Sequence, residues 1–316
     1  MSMRMMIFSG RSNLPLAQSI ARSLRKRQGK ISIKSFPDGE TWVKFGENIR
    51  GAEVYIIQHT GQPDTNLVEL LIMIDAAKRA GARKIVLVIT YYGYGRQDRK
   101  DQPRVAITAK LEADLLTKAG ATRVITMDLH AAQIQGFFDI PLDNLFGSKI
   151  FTPVVRRLKK KVRGKLAVCS ADIGGIKMAR NYSKRLGVEL LIIDKRRPKQ
   201  SLSEVMNIIG NPNGKWIIIV DDILDTGGSI TKAAAALKKA GAKGVYAIIT
   251  HPLFSKKAFE LIQKSCIKHL WVSDTVPLKQ THPKVSVVKA GNIFAQAILR
   301  SHRNKSVSNL FTENKE

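Results

Sequence analysis

Short apolar runs rich in Val and Ile recur along the chain, and helix-like segments ending in Gly lie between several of them. The runs are continuous rather than alternating in polarity, which is typical of strands covered on both faces of a sheet. They span residues 54–58, 85–90, 124–128, 166–170, 190–194, 216–220 and 245–250. This order of elements predicts an α/β fold with mainly parallel sheets flanked by helices.

Two stretches of the chain resemble each other. Residues 80–90, Ala-Gly-Ala-Arg-Lys-Ile-Val-Leu-Val-Ile-Thr, are similar to residues 240–250, Ala-Gly-Ala-Lys-Gly-Val-Tyr-Ala-Ile-Ile-Thr. An apolar strand, a polar loop and a helix precede each copy, so we predict two tandem domains, residues 1–149 and 150–316. Packing of roughly the last 20 residues back on the first domain stays open. Chance similarity is also open, because Gly commonly ends helices and a third Ala-Gly-Ala begins at Ala119.

Length and composition limit the class of protein. The 316 residues provide enough chain for two domains, and no apolar stretch approaches the roughly 20 residues of a membrane helix. The first residues lack the apolar run of a signal peptide, and the two cysteines, Cys169 and Cys266, are far apart. We therefore expect a cytoplasmic protein without a disulfide framework and without a membrane partner.

The net charge of +28 raises the question of a nucleic-acid partner. Lys and Arg cluster at residues 22–30, 156–163 and 195–199, and such clusters can neutralise a phosphate backbone. No helix-turn-helix, zinc-finger or aromatic RNA-binding signature accompanies them, and aromatic residues make up only 6% of the chain. Because net charge specifies a partner weakly, we predict small phosphorylated substrates and no nucleic acid.

The strongest candidate for chemistry is the loop that follows the apolar run at 216–220. Adjacent acids, a Gly-Gly pair and two hydroxyls precede a helix predicted at 230–240; in order, they are Asp221, Asp222, Asp225, Thr226, Gly227, Gly228 and Ser229. Ligands bind at the carboxyl edge of open α/β sheets, glycines let the backbone approach them, and amides at a helix start suit a phosphate. Adjacent acids in an apolar setting favour sugar hydroxyls or magnesium as partners.

This loop closely resembles the phosphoribosyl-binding loop of the phosphoribosyltransferase fold. The resemblance implies that the segment from Asp225 to Ser229 holds ribose 5-phosphate, and that Asp221 and Asp222 hold the ribose hydroxyls. The family often has Thr at the position of Ser229, which keeps the hydroxyl. Taken alone, the loop leaves an ordinary base-specific phosphoribosyltransferase open as an alternative.

Further motifs resemble those of the ribose-phosphate pyrophosphokinase family, from about residue 6 to residue 311. Residues 36–40, with Asp38, Gly39 and Glu40, resemble its ATP-binding loop. Its other nucleotide contacts follow the run at 85–90 and correspond to Arg96, Gln97, Asp98 and Arg99. Arg supplies forked donors for phosphate. The residue before Arg96 is Gly95 rather than the usual Ala, which removes no functional group.

The same resemblance extends to metal-site and catalytic positions. His130, in Asp-Leu-His-Ala-Ala-Gln, and Asp172, in Ser-Ala-Asp-Ile-Gly-Gly, match residues of a magnesium site. Magnesium prefers oxygen ligands, so direct and indirect roles for His130 are both open. Lys195 and Arg197, in Lys-Arg-Arg-Pro, match two catalytic positions at the start of a loop that is mobile in the family.

Together these motifs imply one reaction, with Mg²⁺ as the cofactor. The β,γ-diphosphate of ATP passes to the anomeric hydroxyl of ribose 5-phosphate, giving phosphoribosyl pyrophosphate and AMP. Residues 306–311 resemble the end of the phosphate-activated, ADP-inhibited branch, which implies phosphate and ADP as effectors and a homo-oligomer, a hexamer. A non-catalytic regulatory relative is a further alternative, although the chemistry-bearing residues are all present. The general base is open between Asp222 and a bound water.

Overall fold

The computed structural model describes residues 4–196, 205–255 and 257–310. Its strands are β1 (Met5–Ser9), β2 (Ile31–Ser35), β3 (Thr41–Phe45), β4 (Glu53–Gln58), β5 (Lys84–Ile89), β6 (Arg123–Met127), β7 (Leu142–Leu145), β8 (Leu166–Ser170), β9 (Glu189–Arg196), β10 (Val205–Ile209), β11 (Trp216–Leu224), β12 (Gly244–Pro252), β13 (Ile267–Ser273) and β14 (Val285–Val288). Its α-helices are α1 (Leu14–Ser23), α2 (Thr65–Arg79), α3 (Thr108–Ala119), α4 (Ser148–Lys161), α5 (Ile176–Leu186), α6 (Gly228–Lys239), α7 (Ala258–Lys264) and α8 (Gly291–His302).

Internal contacts divide the described chain into two compact units. Unit 1 comprises residues 4–146, 275–277 and 290–310, and unit 2 comprises the described residues of 147–274 and 278–289. Unit 1 is built on a sheet of five parallel strands in the order β1-β4-β5-β6-β7. Strands β2 and β3 form a separate antiparallel ribbon, which packs on α2.

Unit 2 is built on a sheet of seven strands in the order β10-β9-β8-β11-β12-β13-β14, in which only β10 is antiparallel to its neighbour. Along β11, Ile217 and Ile219 pack with the core that contains α6 and α7, whereas Ile218 and Val220 pack with α4 and α5. Both faces of this strand are therefore buried, which explains its continuous apolar sequence.

The two units repeat one order of elements. In each, a strand and a helix lead to an antiparallel strand pair and then to further parallel strands, so that β8-β11-β12-β13-β14 repeats β1-β4-β5-β6-β7. The similar sequence stretches occupy equivalent places, since Gly81 and Gly241 follow α2 and α6 with φ of 78° and 89° and precede β5 and β12. The fold thus consists of two phosphoribosyltransferase-like α/β units in tandem, each a mainly parallel sheet flanked by helices, as predicted.

The last helix of each repeat packs in the other unit. Helix α4 follows β7 of unit 1 but lies in unit 2, where Phe151 and Val155 share a core with Tyr182 of α5. Helix α8 follows β14 of unit 2 but lies in unit 1, where it packs on α1. That packing is close, because a Cβ on Gly291 would lie 2.3 Å from Ser19 Oγ. The two repeats have therefore exchanged helices reciprocally.

The structure confirms all seven strands predicted from apolar runs, and it corrects the end of β11. Strand β11 continues past Val220 to Leu224, so Asp221 and Asp222 lie within the strand rather than after it. Backbone pairing with β12 continues there, with Asp221 opposite Ile249 and Ile223 opposite His251. Cys169 and Cys266 are both free thiols, as expected. Across the described ranges, no helix combines the length and the apolar character needed to cross a membrane.

Candidate active site

The predicted phosphate loop of unit 2 joins β11 to α6. Gly227 has a φ of 79°, a left-handed conformation that favours glycine, and α6 begins at the next residue. The side chains of Thr226 and Ser229 are exposed on either side of the Gly-Gly pair. Thr231 Oγ1 donates to the Gly227 carbonyl oxygen at 2.8 Å and fixes the entry to the helix. The loop thus exposes two side-chain hydroxyls next to the first turn of α6, whose amides suit a phosphate.

Asp225, in the same loop, is held by a residue that the sequence did not reveal. Ser255 donates its amide to the Asp225 carbonyl oxygen at 3.0 Å, and its hydroxyl donates to Asp225 Oδ1. Ser255 follows β12, the strand beside β11. The position of Ser255 just beyond a strand that neighbours the phosphate loop was the available signal, because parallel strands end at one edge.

Three carboxyl groups of unit 2 influence one another electrostatically. Burial raises the pKa of Asp221 well above its usual range, and the nearby charges of Asp222 and Asp172 raise it further. Asp221 Oδ1 accepts the amide of Asp222 at 3.0 Å. The structure therefore brings predicted metal-site residue Asp172 together with both predicted sugar-binding acids.

The loop that carries Asp172 is held by hydrogen bonds within the loop itself and to the end of β8. Asp172 Oδ1 accepts the Gly175 amide at 3.0 Å, and Ser170 Oγ donates to the Asp172 carbonyl oxygen at 2.6 Å. A Cβ on Gly175 would lie 2.8 Å from Ser170 Oγ, so this turn requires glycine. The loop therefore holds Asp172 at the carboxyl end of β8, immediately before α5.

The donor atoms in unit 2 suit magnesium. Three carboxyl groups, one with a pKa raised by burial and then by its neighbours' charges, are the oxygen donors that this cation prefers. No set of three or more His, Cys, Asp or Glu side chains in the described part of the chain is already arranged around a metal position. The residues fit the cation by their chemistry, and the arrangement of ligands stays a prediction.

In unit 1, two predicted nucleotide and metal loops lie side by side. The loop after β5 carries Arg96 and Asp98, and the loop after β6 carries His130. Gln133 Nε2 donates to Asp98 Oδ2 at 2.8 Å, and a Cβ on Gly95 would lie 3.5 Å from His130 Cβ. That separation is an ordinary contact, so Ala would fit at position 95.

The other predicted residues of this loop are also placed. Gln97 Oε1 accepts the hydroxyl of Thr108 at 2.5 Å, and the Gln97 carbonyl oxygen accepts the amide of Ala109 at 3.2 Å, which ties the loop to the start of α3. Arg96, Gln97 and Arg99 are exposed, whereas Asp98 is half-buried. Both arginine side chains are thus exposed in the loop that follows β5.

Asp38, Gly39 and Glu40 form the tip of the β2–β3 ribbon and are exposed. Asp38 Oδ1 accepts the Glu40 amide at 3.1 Å, and Gly39, with a φ of 98°, donates to the Phe36 carbonyl oxygen at 2.9 Å. The turn is therefore closed on itself and leaves the Glu40 side chain and one Asp38 oxygen facing solvent.

The predicted catalytic pair falls at the limit of the described chain. Lys195 lies in β9, where its backbone is opposite Met206 of β10. Strand β9 is thus longer than the predicted 190–194, and Lys195 belongs to the strand. Arg197 lies outside the described residues.

Fold and site together define a class. The chain has two tandem α/β units, and in one of them an Asp-Asp pair is followed by a left-handed glycine and a helix. This architecture is that of proteins with phosphoribosyltransferase-like domains. Two family models match the chain: residues 5–120 match the N-terminal domain of ribose phosphate pyrophosphokinase, and residues 177–312 match the phosphoribosyl synthetase-associated domain.

Similar proteins cover nearly the whole chain. A ribose-phosphate pyrophosphokinase of Chlorobaculum tepidum is 50% identical and covers 96% of this chain and 94% of its own. A ribose-phosphate pyrophosphokinase of Thermotoga maritima is 48% identical, and the match covers 98% of this chain and 99% of the Thermotoga protein. The crystal structure of phosphoribosylpyrophosphate synthetase from Mycobacterium smegmatis superposes with a TM-score of 0.90 at 34% identity, over 95% of this chain and 99% of that one. The chain belongs to the ribose-phosphate pyrophosphokinase family, which is a family of enzymes.

Proposed function

We propose that the chain transfers the β,γ-diphosphate of ATP to the anomeric hydroxyl of ribose 5-phosphate, for nucleotide biosynthesis. The observation that carries the proposal is the loop from Asp221 to Ser229. Its left-handed turn at Gly227 leads into α6, with the exposed Thr226 and Ser229 on either side of the Gly-Gly pair and a pair of acids a few residues before it. Such a site suits one molecule that has a phosphate at one end and vicinal hydroxyls at the other.

The two units divide the substrates between them in this proposal. Unit 2 binds ribose 5-phosphate: the segment from Asp225 to Ser229 holds the phosphate and Asp221 and Asp222 accept from ribose hydroxyls. Unit 1 binds ATP through the turn from Asp38 to Glu40 and through Arg96, Gln97, Asp98 and Arg99. The support is that Asp221 and Asp222 lie in the last part of β11, just before the loop with the exposed Thr226 and Ser229, and that the unit 1 residues lie at the ribbon tip and in the loop after β5.

Mg²⁺ is the cofactor that we propose, with His130 in unit 1 and Asp172 in unit 2 each as a metal-associated residue, in contact with an ion directly or through water. When bound, the ion neutralises phosphate oxygens and makes phosphorus more electrophilic. The protein's own part is to hold the attacking hydroxyl in line with the β-phosphorus and to neutralise charge on the diphosphate. We assign charge neutralisation to Lys195 and Arg197. The hydroxyl proton passes to Asp222 or to water.

The decisive experiment measures AMP release from ATP by the purified protein. We expect release that requires both ribose 5-phosphate and Mg²⁺. Pyrophosphate release that depends on a nucleobase would instead identify a base-specific phosphoribosyltransferase. Binding of ATP and ribose 5-phosphate without turnover would identify a non-catalytic relative. Either result would overturn the proposal.

We further propose that phosphate and ADP are effectors, that the protein is a homo-oligomer, a hexamer, and that it acts in the cytoplasm. A cavity of about 370 Å³ in unit 1 supports an anionic effector, since it is lined by Arg123, Lys305, Ser301, Asn304, Ser306 and Val307. Light scattering tests the oligomer. Titration of AMP release with phosphate and then with ADP tests the effectors; an unchanged rate would exclude this regulation.

A further inference from the structure

One arginine joins three parts of unit 1 beside the loop at the tip of the β2–β3 ribbon. Arg11 follows β1 and is half-exposed. Its Nε donates to Glu69 Oε2 of α2 at 2.5 Å, its Nη1 to Ser35 Oγ at 3.1 Å and its Nη2 to Thr41 Oγ1 at 3.5 Å. The β1 loop, α2 and both strands of the ribbon therefore meet at a single guanidinium.

These contacts lie at the end of the ribbon that carries the loop. Ser35 and Thr41 are the last residue pair before residues 36–40. Nearer its base the ribbon is held by apolar packing, with Phe45 4.7 Å from Phe8 between ring centroids. The loop itself lacks such packing, and Phe36 is 52% exposed. Arg11 thus fixes the ribbon where its hydrophobic support ends.

A buried network fixes the root of Arg11. Glu69 is 2% exposed, and its Oε1 accepts the Arg11 amide at 2.7 Å and Gln58 Nε2 at 3.0 Å. Gln58 Oε1 in turn accepts the Ser12 amide at 3.0 Å. A Cβ on Gly10 would lie 2.4 Å from Gln58 Oε1, so a larger residue there would displace the Gln58 side chain from this network. With its backbone and Nε held, the arginine directs both Nη groups to the ribbon.

We propose that Arg11 is a positioning residue for the nucleotide, which holds the loop at residues 36–40 in its binding conformation through Ser35 and Thr41. This inference rests on the proposed role of that loop in binding ATP. Arg11 contacts the ribbon rather than the substrate, so its loss should weaken ATP binding more than it slows transfer. Lysine cannot replace it, because one ammonium lacks the planar fork that reaches Glu69 and two hydroxyls together.

The cleanest test removes the acceptors and leaves the buried ion pair intact. In the Ser35→Ala/Thr41→Val variant we expect the KM for ATP to rise about fivefold, the effect of losing two exposed hydrogen bonds. The KM for ribose 5-phosphate should stay unchanged. Arg11→Lys should raise the KM for ATP similarly, and adding it to the double variant should cause no further rise. The matched control is Arg27→Ala, which breaks a pair with Glu47 at 2.6 Å beyond the other end of the ribbon; it should leave both KM values unchanged.

Hydrogen–deuterium exchange of residues 36–41 supplies a readout that is independent of catalysis. Exchange should be faster in the double variant and in Arg11→Lys and unchanged in Arg27→Ala. If wild-type protein releases no AMP while exchange changes as expected, the proposed function fails and the anchoring of the loop stands. Wild-type exchange in both variants would overturn the inference. Faster exchange with an unchanged KM for ATP would also overturn it, because loop order would then not matter to the nucleotide.

Discussion

Gly227 holds a left-handed backbone conformation at the point where the phosphate loop enters α6. A β-carbon in that conformation costs about 1–2 kcal/mol. We expect Gly227→Ala to lower the free energy of unfolding by this amount and to raise the KM for ribose 5-phosphate. Urea denaturation and steady-state kinetics measure the two effects. Gly228→Ala is the matched control for stability, because its φ is not left-handed and its nearest neighbour would be 3.8 Å away.

Substitution of Lys195, a second single residue, tests its proposed role in neutralising charge during catalysis. We expect Lys195→Ala to lower turnover about a hundredfold, ~3 kcal/mol of lost transition-state stabilisation, as for other single electrostatic contacts. Binding of both substrates should largely survive, which isothermal titration can check. Lys177→Ala, on the exposed side of α5, serves as the control and should leave turnover unchanged. Wild-type turnover in the Lys195 variant would remove this residue from the mechanism.

Glu112 makes stability depend on pH. The residue is 1% exposed, and its burial outweighs the opposing effect of the Thr60 hydroxyl beside it. Burial therefore raises its pKa well above the usual 4.5. The folded state then keeps a proton that the unfolded state has lost. Above pH 4.5 the free energy of unfolding should fall by about 1.4 kcal/mol per pH unit until the folded pKa is passed.

The isosteric variant Glu112→Gln cannot ionise and should flatten this part of the stability curve. Urea denaturation at several pH values measures the slope. Glu47→Gln is the control, since the Arg27 hydrogen bond holds the pKa of that carboxyl at about 2 and it does not titrate in the same range. A Glu112→Gln protein with the wild-type slope would show that another group is responsible.

At the scale of elements, the site depends on loops from neighbouring strands. Ser255, beyond β12, holds Asp225, beyond β11, through a side-chain hydrogen bond. Ser255→Ala should raise the KM for ribose 5-phosphate about tenfold, since a hydrogen bond to a charged group contributes about 1.5 kcal/mol. The melting temperature should change little. Ser265→Ala, which loses a bond to the Ile262 carbonyl oxygen after α7, should leave the KM unchanged.

Elements with continuous apolar runs were predictable from the sequence, because strands buried on both faces leave a signal that few other structures produce. The β2–β3 ribbon was not predicted as strands, since only one of its faces is buried and its runs are short. The predicted end of β11 at Val220 was wrong. Backbone pairing with β12 continues past Asp221 and Asp222, although their polar side chains indicate a loop. The anchor at Arg11 depends on contacts 24 to 58 residues apart along the chain, which no local pattern encodes.

At the scale of the whole molecule, the exchanged helices link each repeat's sequence to the other unit's stability. Phe294 of α8 and Phe151 of α4 are both fully buried. Truncating either to Ala should cost about 3–5 kcal/mol. Phe294→Ala should increase hydrogen exchange in unit 1, although β14, the strand preceding α8, lies in unit 2. Phe151→Ala should do the reverse, so each variant is the other's control. If Phe294→Ala instead increased hydrogen exchange in unit 2, or Phe151→Ala in unit 1, the placement of α8 in unit 1 and of α4 in unit 2 would be contradicted.

The placement of α4 in unit 2 and of α8 in unit 1 also sets an order of events during protein synthesis. The strands of unit 1 are translated before those of unit 2, but its α8 is the last of the described α-helices to be made. At about 5–20 residues per second, α8 follows β7 by on the order of ten seconds. Unit 2, whose main segment begins with α4, has every helix before α8 is translated. Unit 2 is thus the first of the two units to have all of its described α-helices, and the nascent chain carries α1 uncovered by α8 until α8 itself has been translated.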